Sequence, residues 1–169
     1  SLQAARLGPA PAVPVAVVAS IDELELPPGP VVVHACELFD AVPVHRVVMR
    51  SDGLKELRVA AEGGALCWRE SAASAELVRY FAGHGVSLAS GQIAEARPDA
   101  ERLHRDLLRL AGDNGLAVVV DYGYAARRLY DGRGRHGGSL AVQRAHRVSR
   151  DPLVEPGDRD LSAHVNWDD

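Results

Sequence analysis

The chain has 169 residues, 47% of them hydrophobic and 25% charged, with a formal net charge of −4. That is long enough for one domain with its own core, and it excludes general disorder and any overall electrostatic pull towards nucleic acid or an anionic membrane. Two cysteines, Cys36 and Cys67, make no disulfide framework, so a reducing compartment, by default the cytoplasm, is expected.

Residues 1–8 read as the tail of a helix, which the prolines between Pro9 and Pro14 break. Residues 15–19 predict a short strand, and Ser20 with Glu23 a capping box for one helical turn. Pro27-Pro28-Gly29-Pro30 then punctuates the chain before an apolar run at residues 31–35. A second such run covers residues 116–120. Short, continuous β-branched runs predict strands of a mostly parallel sheet buried on both faces. Each run ends in an acidic motif: Glu37 and Asp40 after the first, Asp121 after the second. Ligands of open α/β sheets collect beyond the carboxyl ends of the strands, so these three carboxylates mark a candidate site.

Between the two runs the pattern changes. Residues 44–70 divide into three strand-length pieces at Ser51-Asp52-Gly53 and Glu62-Gly63-Gly64, which predicts an antiparallel meander. Residues 72–82 predict a helix, and residues 98–111 a clearer one. In the latter Ala100, Leu103, Leu107 and Leu110 share a face, Pro98 suits the first turn and Gly112 the stop. Residues 122–138 are expected to form a mobile loop, residues 139–148 a strand and residues 149–169 an irregular tail. No apolar stretch approaches the ~20 residues that span a bilayer, and no signal peptide is visible at Ser1.

Several motifs fail their context. Residues 132–137 match G-x-G-x-x-G, but a dinucleotide loop needs a strand just before it and a helix just after. His34, Cys36 and Cys67 show no repeated ligand spacing, so no metal is expected, and the hydrolase elbow G-x-S-x-G is absent. His164 with Asp160 is either a dyad or a hydrogen-bonding histidine. Asp40 reads equally as an acidic residue in a helix first turn. Asp121 reads equally as an acceptor for backbone N–H groups in its own turn.

Five ordered blocks, spread over residues 14–167, carry a resemblance. ACELFDAVPV at residues 35–44 resembles the ANEFFDALPV of the MidA family, formerly a domain of unknown function, which includes a mitochondrial complex I assembly arginine methyltransferase. QIAEARP at residues 92–98 is similar to its glutamate–proline helix entry, and DYGY at residues 121–124 to its DYGY. Gly138-Ser139-Leu140 with Arg144 and His146-Arg147-Val148 follows its GTL…YRRHRV. Asp151-Pro152-Leu153 and GDRDLSAHV at residues 157–165 follow its DPL…PGEQDITAHV. Cys36 and Gln143 replace the family's Asn and Tyr.

The resemblance implies an α/β fold: part of a class I methyltransferase, Rossmann-like sheet with an antiparallel β-meander insertion, all in one partial domain. It implies an S-adenosylmethionine-dependent methyltransferase, with a protein arginine as acceptor. Glu37, Asp40 and Asp121 would be the catalytic carboxylates. The cofactor would pass Ala35, Cys36 and Glu37 with its methionine end and Ser20 and Ile21 with its adenine. The family's glycine-rich loop has no counterpart in these residues, so the chain is expected to be an internal piece of a longer enzyme, inactive alone. The alternative is a non-catalytic binding or assembly module using residues 44–69 as partner surface.

Overall fold

A computed structural model describes residues 16–26, 28–144 and 147–169. Strand β1 (Val32–Cys36) pairs in parallel with β6 (Leu116–Val120), Val32 opposite Leu116 and Cys36 opposite Val120. Helix α2 (Pro98–Ala111) lies on one face of this pair. Its Ala100, Leu103 and Leu107 pack with Val33, Ala35, Phe39 and Val119. Pro98 opens the helix and Gly112 closes it, as the sequence predicts. Gly115 makes the tight return to β6 possible, because a Cβ there would stand 2.0 Å from the Ala111 carbonyl oxygen and 2.5 Å from that of Val31.

The two strands are buried on one face, not both. Val32 is 69% exposed, and His34, Cys36, Leu116 and Val120 are exposed beside it. On the covered side α2 packs with Ile21 beside it, and no described element covers the other side. Parallel strand pairs among the described residues are β1–β6 and β7 (Gly123–Tyr124) with β11 (Val165–Asn166), and one isolated parallel bridge joins Ile93 to Gly137. The structure is therefore mixed α/β rather than one mostly parallel sheet.

The meander forms as predicted. Strands β2 (His45–Arg50), β3 (Gly53–Glu62) and β4 (Ala65–Ala72) run antiparallel, and β5 (Ile93–Ala96) joins the far side of β2, giving the order β4-β3-β2-β5. The expected elements lack β5. Helix α1 (Ala75–Gly83) starts later than residue 72, because Ala72 is still paired with Lys55 and Ser74 caps the helix by accepting the Leu77 N–H. Its Leu77 and Phe81 cover Val47, Ala94 and Ala96 on one face of the sheet.

Further expectations are corrected. Residues 16–19 form no strand, Val15 lying outside the described residues. No described strand pairs with them, and an unpaired extended segment has no ladder to join. The turn after them is real: Ser20 accepts the Asp22 N–H ahead of the 3₁₀ turn Ile21–Glu23. The single strand over residues 139–148 is instead two strands, β8 (Ala141–Arg144) and β9 (Arg147–Ser149), paired antiparallel. The tail is not wholly irregular, since β10 (Asp160–Ser162) pairs with β8 and β11 with β7. Residues 122–138, expected to be one loop, instead hold β7 and the short helix α3 (Ala126–Leu129), because Ala126, Leu129 and Tyr130 are buried in the core. Among the described residues no helix is long and apolar enough to cross a membrane.

Candidate functional site

The site begins where β1 ends. The Glu37 N–H donates to the Val120 carbonyl at 2.8 Å, continuing the parallel ladder by one bond. Its φ is then +48°, in the left-handed region that an L residue enters at a cost of about 1–2 kcal/mol. The chain turns sharply, and the Glu37 side chain is exposed while Phe39 and Asp40 fold inward.

Asp121 holds that turn. One of its oxygens accepts the N–H groups of Phe39 at 2.9 Å and Asp40 at 3.1 Å, and the other accepts the Tyr122 N–H at 2.8 Å. Asp40 is only 7% exposed and takes a short hydrogen bond from the Tyr122 hydroxyl. That bond raises the phenol above its ordinary value, because ionisation would set two negative charges against each other.

Arg97 ties this turn to the helix behind it. Although 3% exposed, its guanidinium has no carboxylate partner among the described residues. It donates instead to four carbonyls, those of Val42 at 3.1 Å, His164 at 3.3 Å, Asp40 at 3.1 Å and Ala163 at 3.0 Å. Burial pulls its pKa below the ordinary arginine value. The Ala163 N–H returns a bond to the Asp40 carbonyl at 3.1 Å. His164 sits edge-on to Tyr122 and Tyr124, and burial, with Arg135 nearby, lowers its pKa. Asp160 is not among its hydrogen-bond or ion-pair partners.

The fold thus brings Glu37, Asp40 and Asp121 to one turn. The residues tied to the cofactor by resemblance divide. Cys36 and Glu37 are exposed at the carboxyl edge, while Ala35 faces α2. Ile21 joins the cluster around Ala35, yet Ser20 and Ile21 line a separate hollow against Asp106, Arg109 and Leu110 of α2. No group of three or more metal-ligating side chains occurs among the described residues. Sequence reasoning missed Arg97 and Tyr122. An arginine before a helix and a tyrosine in a turn read as surface residues, and only an arginine placed between apolar Ala96 and Pro98 hints otherwise.

A family model described as "Putative S-adenosyl-L-methionine-dependent methyltransferase" matches residues 1–169. The protein arginine methyltransferase NDUFAF7 homolog of Drosophila melanogaster mitochondria is 29% identical over 155 residues, 85% of this chain and 32% of that protein. The Xenopus tropicalis NDUFAF7 is 27% identical over 86% of this chain and 32% of its own length. A Burkholderia thailandensis protein crystallised with S-adenosyl-homocysteine superposes with a TM-score of 0.72 at 29% identity, over 83% of this chain and 36% of that one. The chain therefore spans about a third of the length of these relatives. At the carboxyl edge Glu37 presents an exposed carboxylate beside the free thiol of Cys36. Among the described residues no strand leads through a glycine-rich turn into a helix to cradle such a cofactor.

Proposed function

Because the chain belongs to this family of S-adenosyl-L-methionine-dependent methyltransferases, we propose that it carries the acceptor-facing carboxylates of a protein arginine methyltransferase. The observation that supports this best is the convergence of Glu37, Asp40 and Asp121 on one turn at the carboxyl ends of β1 and β6. In this reading β1 and β6 are neighbouring strands of a larger Rossmann-like sheet, and the ligand crevice lies beyond their ends.

S-adenosylmethionine, when bound, supplies a methyl group already activated for transfer. The protein's task is then to position the acceptor. Glu37 is the group free to do so: it is exposed, aimed outward by its left-handed backbone and without a side-chain partner among the described residues. Its carboxylate holds the acceptor guanidinium through paired N–H bonds and takes up the proton that the methylated nitrogen releases. Asp40, fixed by the Tyr122 hydroxyl, adds a second negative charge behind it. Asp121 is committed to three backbone N–H groups and acts by holding the turn. Both cysteines are free, in keeping with a reducing compartment as the place of work.

The test is made in the full-length protein with Glu37→Gln, which keeps size and removes charge. Mass spectrometry of the acceptor should show methyl transfer reduced about a hundredfold or more. Calorimetry with S-adenosylmethionine separates loss of cofactor from loss of chemistry. Wild-type turnover by the variant would remove Glu37 from the mechanism.

A further inference from the structure

The four-stranded sheet has two faces, and one is left open. Leu77 and Phe81 of α1 close the first. On the second, Leu57 and Val59 of β3 stand beside Leu66 and Trp68 of β4, with Val59 directly opposite Trp68. Leu153, Pro156 and Leu161 form the facing wall. Between the walls runs a groove of about 480 Å³. Val59 is 53% and Leu161 50% exposed, so apolar surface meets water on both sides.

Two charged residues line this groove, Arg46 and Asp40. Arg46 is committed: its guanidinium lies 5.3 Å from the Trp68 ring centre and its Nε 3.4 Å from the Glu95 carboxylate. Asp40 is not. Tyr122 bonds one of its oxygens, and the other has no hydrogen-bond partner among the described residues. A buried carboxylate beside apolar walls gains most from a cation that is weakly hydrated and offers paired donors, which describes guanidinium better than ammonium.

We infer that this groove seats an extended segment of a protein acceptor carrying an arginine next to aliphatic residues. The aliphatic side chains fill the space between Val59, Trp68 and Leu161, and the arginine leaves the groove past Asp40, its guanidinium between Asp40 and Glu37. The inference rests on the acceptor reading above and adds to it a sequence preference and a docking surface.

Trp68 lines the groove and Trp167, the other tryptophan, lies outside it. In the full-length protein the part of the tryptophan emission that Trp68→Phe removes reports on the groove wall. The full-length protein is titrated with three capped hexapeptides: Gly-Leu-Leu-Arg-Leu-Gly, the same peptide with citrulline for arginine, and Gly-Gly-Gly-Arg-Gly-Gly. A saturable Trp68 emission shift is expected with the first, and binding at least about tenfold weaker with the other two. Val59→Glu and Leu161→Glu, both at exposed positions, should each weaken the first peptide about tenfold. Val78→Glu, equally exposed but on α1, should not. Asp40→Asn should erase the difference between arginine and citrulline.

Absence of a saturable shift overturns the inference, as does equal binding of the glycine peptide or indifference to both groove variants. Transfer by the full-length protein separates this from the activity reading. If the leucine–arginine peptide seats but its arginine gains no methyl group, docking stands and arginine transfer fails. If the arginine is methylated with a KM untouched by Val59→Glu, transfer stands and the groove fails.

Discussion

Asp121 reaches back 81 residues to accept the backbone N–H of Asp40 at 3.1 Å, and the same oxygen takes the Phe39 N–H at 2.9 Å. The end of one parallel strand thereby fixes the turn after its neighbour. A carboxylate so occupied is a brace, whereas Glu37, one step past the ladder, is unbraced and exposed.

Stability should divide along that line. Asp121→Ala leaves three N–H groups without their acceptor and is expected to cost about 2–4 kcal/mol in urea unfolding. Glu37→Gly removes a side chain from a left-handed backbone position and should be neutral, or stabilising by up to about 1 kcal/mol, while abolishing its contribution to activity. A Glu37→Gly protein as unstable as Asp121→Ala would show that the Glu37 side chain supports the turn.

Arg97 gives a second prediction. Its guanidinium satisfies four carbonyls from two chain segments, those around Asp40 and around Ala163. Lysine has three donors on a single nitrogen and cannot reach the same spread of oxygens. Arg97→Lys is expected to cost about 2 kcal/mol or more, read as a lower denaturation midpoint with an unchanged slope. An unchanged midpoint would mean that water replaces these bonds freely.

Tyr80 gives the third. It is packed against Tyr130, Asp169 and Asn166, and burial, followed by the Asp169 charge, pushes its pKa from 10.0 up to about 12. A phenol whose folded pKa is raised binds its proton more firmly in the native state than in the unfolded chain. Its contribution is therefore complete below pH 10.0 and lost as pH climbs through about 12. The loss should be on the order of 2 kcal/mol. Tyr80→Phe should flatten the stability profile over that window, measured by urea unfolding at successive pH values. An equally steep decline in the variant would assign the effect elsewhere.

The parts of the fold that were legible in the sequence are those decided locally. Pro98, Gly112 and the spacing of Ala100, Leu103 and Leu107 fix α2 without reference to anything distant. Gly53, Gly63 and Gly64 likewise punctuate the meander. The illegible parts depend on partners far along the chain. Residues 93–96 have no strand signature of their own, and β5 exists because β2 offers it an edge. Residues 16–19 have the signature and find no described edge. The site followed the same division. Glu37 and Asp121 could be placed by their position after apolar runs, but their unequal roles could not, because bracing depends on which N–H groups a turn presents. Arg97 looks like any surface arginine until the carbonyls of residues 40, 42, 163 and 164 close around it.

The last prediction concerns Tyr122, the only described side chain that donates to Asp40. Its ring also meets His164 edge-on, 6.0 Å between centres, so the phenol is oriented from two sides. Tyr122→Phe keeps the ring and removes the donor. Asp40 then has neither oxygen bonded within the described residues, and its carboxylate is free to turn away from an incoming cation. Since Tyr122 is half-exposed, water can reach the vacated place, and the loss of stability should stay within about 1 kcal/mol. Acceptor recognition depends on where the carboxylate points. In the full-length protein KM for an arginine peptide should rise about three- to tenfold, and calorimetry should find S-adenosylmethionine affinity unchanged. A fall in cofactor affinity with acceptor KM untouched would move the Asp40–Tyr122 pair from the acceptor side of the site to the cofactor side.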